Sequence, residues 1–167
     1  MRSITLYKYS ATGTFGYVCY EKENKVCNVF SLPLPISDVG ISGGKHGFHS
    51  KYDFADTLVE GVTKREILDD NGDLAAVLRW DGMGIYTLFH EGRKVRIYTN
   101  EHFFLYLTEK KQIALLQETT KRDVPQYIEE TMDGLDLSRA FEAQIEDAVS
   151  DSLTALMLAF PMLKFAF

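Results

Sequence analysis

The chain has 167 residues, of which 46% are hydrophobic, 13% aromatic and 25% charged. This composition excludes an intrinsically disordered chain, and the length predicts a single domain over residues 1–167 with its own core. The formal net charge of −6 is local, because residues 118–167 hold 10 acidic and 4 basic side chains while residues 1–117 hold 14 of each. Phosphate contacts need a basic face, so we expect no nucleic-acid partner.

The first residues and the cysteines indicate a cytoplasmic protein. Residues 1–9 mix charges with β-formers and lack the apolar stretch of a secretory signal. Cys19 and Cys27 are too few for a disulfide scaffold, and we expect free thiols. They lie on two arms of a predicted hairpin. A two-residue loop pairs Cys19 with Asn28, whereas a three-residue loop centred on Glu23 places the cysteines opposite each other, and the sequence leaves both registers open.

Short runs of β-branched and aromatic residues dominate the chain up to residue 117. They recur roughly every 8 to 12 residues, which is typical of an all-β sandwich or barrel. Turn residues separate them, including the pairs Asn71-Gly72 and Glu91-Gly92. The predicted strands span residues 4–9, 15–20, 26–31, 62–68, 74–80, 85–90, 95–99, 103–107 and 112–117.

Residues 32–50 break this pattern, because two prolines and four glycines predict a long irregular loop. Within it, the stretch GISGGKHG at 40–47 sets glycine-rich backbone before a lysine, which is a pattern that can cradle phosphate. It departs from a P-loop, because the glycine spacing is one residue short and His46 replaces Ser or Thr. We interpret the stretch as a flexible loop. The alternative is a phosphate or ligand site made by Gly43, Gly44, Lys45, His46 and His49.

No motif predicts a metal, another cofactor or a catalytic group. His46 and His49 are three positions apart, but no predicted helix directs both imidazoles to one point. The acidic turn at residues 69–73 differs from a calcium loop because its glycine comes too early. The sequence also lacks a nucleophile elbow and the chain order of a known catalytic triad. These observations favour a protein that is not an enzyme.

Basic residues cluster on two neighbouring predicted hairpins. Several such charges on one surface attract anionic lipid headgroups by about 1 kcal/mol each. Solvated turn charges are the simpler interpretation. The candidate residues for lipid or partner binding are Arg93, Lys94, Arg96, Lys110 and Lys111.

The last part of the chain contains an acidic excursion and a terminal helix. Residues 118–138 form the excursion, and residues 141–145 fit either a strand or a helix. From Leu153 onward nearly every residue is apolar, so the predicted helix must be surrounded. A bilayer crossing needs about 20 apolar residues, and Pro161 and Lys164 interrupt this shorter run. We therefore favour the interior of a barrel, and the alternative is a helix that docks into a membrane or another chain.

A series of hairpins followed by an apolar terminal helix resembles the tubby C-terminal-like superfamily, which includes LURP-one-related and phospholipid-scramblase proteins. The resemblance rests on the segments ILDDNGDLAAVLR at 67–79, IYTLF at 85–89 with Glu91-Gly92, FEAQIED at 141–147 and LTALMLAF at 153–160. The chain looks like a small bacterial-type member. The resemblance implies a mainly β fold, an antiparallel barrel of about twelve strands that encloses the C-terminal helix. It also implies a binding surface outside the barrel, since animal tubby proteins bind phosphoinositides through basic surface residues.

We therefore expect a noncatalytic binding or regulatory module that recognises an anionic lipid headgroup or a protein partner, cytoplasmic or peripheral to the membrane. The alternative is an enzyme or phosphate-binding protein that uses the loop at 40–49.

Overall fold

The computed structural model describes residues 1–11, 14–31, 39–43, 46–51, 64–109, 111–123, 125–129 and 134–164. This part of the chain forms twelve strands and two helices. The strands are β1 (Arg2–Ala11), β2 (Thr14–Glu21), β3 (Asn24–Ser31), β4 (Val39–Gly43), β5 (His46–Lys51), β6 (Lys64–Asp69), β7 (Leu74–Gly82), β8 (Ile85–His90), β9 (Arg93–Thr99), β10 (Phe103–Thr108), β11 (Lys111–Thr119) and β12 (Leu135–Ile145). The helices are α1 (Gln126–Glu129) and α2 (Asp151–Leu163).

The strands form a closed antiparallel barrel in which each strand pairs with its neighbours in sequence. The first and last strands close the ring, with Ile4 opposite Ala143 and Leu6 opposite Phe141. Closure satisfies the backbone groups that an open edge would expose. The prediction of a twelve-stranded antiparallel barrel is confirmed.

Helix α2 fills the barrel. Ser150 caps it by accepting a 3.2 Å hydrogen bond from the backbone N–H of Leu153, and Asp151 lies in the first turn, where the helix dipole favours an acid. Every residue from Ser152 to Phe160 is buried, as is Leu163. The ring of Phe160 meets Tyr86, Phe104 and Tyr106 edge to face, with centroids 5.0, 5.2 and 6.1 Å away. The prediction that the helix lies in the interior is confirmed, and neither described helix is long and apolar enough to cross a bilayer.

The proline inside α2 is accommodated by a strand. Pro161 has no N–H, so the carbonyl of Met157, four residues earlier, loses its usual helical donor. The hydroxyl of Tyr106 on β10 donates a 2.8 Å hydrogen bond to that carbonyl. Burial raises the pKa of Tyr106 well above its ordinary value, so the hydroxyl keeps its proton.

The start of α2 is attached to the sheet by a buried histidine. The Nδ1 atom of His90 lies 2.8 Å from the carbonyl oxygen of Ala75, and a carbonyl only accepts, so Nδ1 donates. The Nε2 atom lies 2.9 Å from the hydroxyl of Ser152. Both side chains are buried. This chain of contacts fixes the helix against β7 and β8.

The expectation of an irregular loop over residues 32–50 is wrong for two segments, which form strands β4 and β5. The glycines of β4 serve close packing. A Cβ atom on Gly43 would lie 2.6 Å from the Cβ atom of Cys27, and one on Gly40 would lie 2.5 Å from the ring of Phe30. At these positions glycine allows the neighbouring strand to approach closely, and it does not make a turn. Residues 32–38, 44 and 45 lie outside the described part of the chain.

The acidic excursion is largely the connection between β11 and β12, but both strands extend into the predicted 118–138 segment. Within it, α1 carries Ile128, which is fully buried on the outer face of the barrel. Its neighbours there form a second apolar cluster, made by Tyr7, Tyr9, Val18 and Tyr20. The ring of Tyr127 lies 5.0 Å from that of Tyr20. We call residues 120–134 the strap.

The two cysteines face each other across β2 and β3. The turn itself is a two-residue turn between Glu21 and Asn24, but a bulge after Cys19 shifts the register and brings Cys27 opposite. Both thiols are free and buried. Burial, followed by the contact with Cys27, raises the pKa of the Cys19 thiol, so this thiol stays protonated and unreactive.

Candidate functional site

A row of side chains crosses four strands on the outer wall of the barrel. Arg79 on β7 pairs with Thr87 on β8, Thr87 pairs with Arg96 on β9, and Arg96 pairs with Leu107 on β10. The neighbours of Thr87 along β8 point inward, because Tyr86 and Leu88 belong to the barrel core. Alternation along the strand therefore directs this row to the outside.

A carboxylate organises the two arginines. The Nε atom of Arg79 donates to Asp81 at 2.7 Å, and the hydroxyl of Thr87 donates to the other carboxylate oxygen. That oxygen lies 4.0 Å from an Nη atom of Arg96. Partial burial opposes ionisation of Asp81, but the hydrogen bonds from Thr87 and Arg79 and the charges of both arginines outweigh it and lower the pKa. Asp81 is therefore ionised and holds Arg79 in place.

An aromatic ring separates this row from the next cation. The guanidinium carbon of Arg79 lies 5.0 Å from the ring centre of Phe89, and the ammonium of Lys94 lies 5.8 Å from the same centre. Both distances fall within the range of a cation–π contact. Phe89 pairs with Lys94 across β8 and β9, so the sheet register sets this arrangement.

These side chains form a surface depression of about 520 Å³, which we call the basic groove. Its lining is Arg79, Thr87, Lys94, Arg96, Tyr98, Leu107 and Glu109. A second depression of about 610 Å³ continues toward the barrel end and is lined by Gly92, Arg93, Lys94, Thr108 and Glu109. The lining includes three cations, Arg79, Lys94 and Arg96, and one carboxylate, Glu109. The side chains of Arg79 and Arg96 are 44% and 52% exposed, so both can reach a ligand.

No family model, curated protein or solved structure matches the chain.

The structure brings most of the predicted basic residues to this surface. Lys94 and Arg96 line the basic groove, and Arg93 lines the adjoining depression. Lys111 begins β11 and pairs with Thr108, which borders the same depression. Lys110 lies outside the described residues.

Sequence reasoning missed Arg79, Asp81 and Thr87. Asp81 precedes Gly82 in the sequence, and such a pair is typical of a turn, but Asp81 lies on β7, and Met83 and Gly84 make the turn. A bulge after Trp80 causes this shift of register. An available signal was the outward position of Arg79 on a strand whose other face, Ala76 and Leu78, is apolar.

The described residues include only part of the glycine-rich candidate site. Gly43 ends β4 and His46 begins β5, while Gly44 and Lys45 lie outside the described residues. His49 is half-buried within β5, opposite Gly40. Within the described ranges, no group of three His, Cys, Asp or Glu side chains is placed to hold a metal ion.

Proposed function

We propose that this protein is a noncatalytic binding module whose basic groove holds the phosphate of an anionic lipid headgroup. The observation that carries the proposal is the row formed by Arg79, Thr87 and Arg96. It offers two partly exposed guanidinium groups on one rigid sheet, with Lys94 beside them. Guanidinium groups make paired, charge-assisted hydrogen bonds to phosphate oxygens.

The position of the site supports binding rather than catalysis. Helix α2 occupies the barrel interior, so the groove on the outer wall is where a ligand meets charged side chains. The lining of the groove supplies three cations, the aromatic ring of Tyr98 and one carboxylate, Glu109, and the neighbouring Asp81 is engaged with Thr87 and Arg79. This set suits recognition of an anion.

We also propose membership of the tubby C-terminal-like superfamily. The support is the enclosed terminal helix together with the segments at 67–79 and 85–89, which form the hairpins from β6 to β8 beside the groove. Within that superfamily, animal tubby proteins bind phosphoinositides through basic residues on the barrel surface.

Vesicle flotation tests the binding proposal. We expect the protein to float with vesicles that contain phosphatidylglycerol and not with pure phosphatidylcholine. Replacing Arg96 with Gln is expected to weaken association about fivefold, because one basic residue contributes about 1 kcal/mol at an anionic surface. High salt is expected to abolish binding, since at about 1 M the Debye length falls to about 3 Å.

Arg122→Gln is the matched control, because it removes the same charge from an exposed position on the strap. We expect it to bind as the unmodified protein does. Equal binding to both kinds of vesicle refutes the lipid proposal, as does equal loss in the two variants. A protein partner then becomes the leading candidate for this surface.

A further inference from the structure

The turn between β7 and β8 displays a methionine in an unusual way. Met83 is 97% exposed, more than any other large hydrophobic side chain in the described ranges. Its φ is +51°, and that of the following Gly84 is +75°. Two successive positive φ values define a type I′ turn, whose first position favours Asn, Asp or Gly. Methionine at this position is therefore unfavourable for the positive φ of the backbone and for exposure of its apolar side chain to water.

The turn is also held rigidly. The backbone N–H and the hydroxyl of Thr99 both donate to the carbonyl of Gly84, at 2.9 and 2.8 Å. A Cβ atom on Gly84 would lie 2.8 Å from the Thr99 hydroxyl oxygen, so the backbone approaches β9 closely. The methionine thus projects from a fixed support. Met83 is unfavourable for the local backbone and for solvation, and it adds no packing inside the fold. Such a residue indicates a role in contact with another molecule.

The side chains behind Met83 indicate which kind of surface it contacts. Tyr98, which is 38% exposed, pairs with Ile85 just behind the turn, at the end of the basic groove. Arg79 and Arg96 follow on the same wall, about 10 to 13 Å behind Met83 at the rise of a β-strand. An apolar tip, an aromatic ring and then cations match the order of layers in a bilayer: acyl chains, interface and anionic headgroups.

We propose that Met83 inserts into the outer part of an anionic membrane while the basic groove binds the headgroups behind it. This inference rests on the proposed function and names the lipid surface as the site of docking. Insertion removes the thioether side chain from water, and the arginines gain phosphate contacts at the same depth. The two contributions act together only when the β7–β8 turn points at the membrane.

The test compares Met83→Asn with Leu74→Asn. Leu74 is 59% exposed at the other end of β7, so it controls for loss of an exposed apolar side chain. We expect Met83→Asn to partition about tenfold less onto vesicles that contain phosphatidylglycerol, as loss of one apolar insertion contact predicts. Its melting temperature is expected to be equal or higher, because Asn tolerates positive φ. Leu74→Asn is expected to partition as the unmodified protein does.

Titration with pyrophosphate, followed by NMR, separates this inference from the proposed function. Met83→Asn is expected to keep its pyrophosphate affinity, whereas Arg96→Gln is expected to lose it. If Met83→Asn partitions normally, or if it loses pyrophosphate binding as well, insertion is wrong while the groove can still stand. If the unmodified protein binds neither pyrophosphate nor vesicles, the proposed function fails, and insertion fails with it.

Discussion

Tyr106 and Pro161 are coupled through one carbonyl oxygen. The hydroxyl of Tyr106 donates to the carbonyl of Met157, which Pro161 leaves without a helical donor. We expect Tyr106→Phe to lower the free energy of unfolding by about 1 to 3 kcal/mol, because a buried acceptor is then unsatisfied. The same change in a Pro161→Ala background is expected to cost less, since an alanine N–H can bond to Met157. Urea denaturation of the four proteins measures the coupling.

Tyr98→Phe is the control for that cycle, because Tyr98 is partly exposed on the outer wall. Its effect is expected to stay within about 0.5 kcal/mol, as is usual for surface changes. An equal cost of Tyr106→Phe in both backgrounds contradicts the coupling and assigns the loss to packing alone.

The candidate site shows which residues a sequence can identify. Lys94 and Arg96 alternate with the apolar Val95 and Ile97, so their outward position on β9 could be predicted, and the burial pattern confirms it. Their partner Arg79 is a different case. Its place beside Thr87 and Arg96 depends on the register between strands, and a bulge after Trp80 sets that register. A one-residue shift reverses every face of a strand, and no local signal determined this one.

The strands also fall into two groups: those that the sequence predicts, and those that form only by pairing with neighbouring strands. The nine predicted runs correspond to nine strands, because each carries enough β-branched or aromatic residues to be recognised. The three missed strands lack that signal. Glycines interrupt β4, β5 begins with His46-Gly47, and β12 mixes charged and small residues. These three strands form because neighbours on both sides supply backbone partners, and tertiary pairing of this kind overrides local preference.

The strap is an element that the sequence left ambiguous, and Ile128 is its fully buried side chain among the described residues. Ile128 on α1 packs among Tyr7, Val18 and Tyr20 outside the barrel. We expect Ile128→Ala to lower the free energy of unfolding by about 2 kcal/mol, the lower limit for such a buried truncation, because the four-residue helix can shift to fill part of the space. Hydrogen exchange is expected to rise in the strap and to change little in β8 and β9.

Gln126→Ala on the same helix is the control, because Gln126 is exposed. It is expected to leave both stability and exchange unchanged. If Ile128→Ala instead raises exchange uniformly around the barrel, the strap is an integral part of the core and not a separate layer.

The barrel and its helix are expected to depend on each other at the scale of the whole molecule. The ring closes between β1 and β12, and β12 leads directly into Ser150 and α2. The inward side chains of the strands have α2 as their shared packing partner, as the three rings around Phe160 show. A barrel of twelve strands without this filling would enclose a large apolar void.

Removal of residues 150–167 tests this dependence. We expect the truncated chain to lose cooperative unfolding and the dispersed NMR spectrum of a packed core. Phe160→Ala is the milder companion variant, expected to fold with a loss of about 3 to 5 kcal/mol, the range for a buried phenylalanine. A truncated chain that keeps its dispersed spectrum contradicts the role of α2 as core. So does a Phe160→Ala variant with unchanged stability, since Phe160 is 1% exposed and every contact it makes would then contribute nothing.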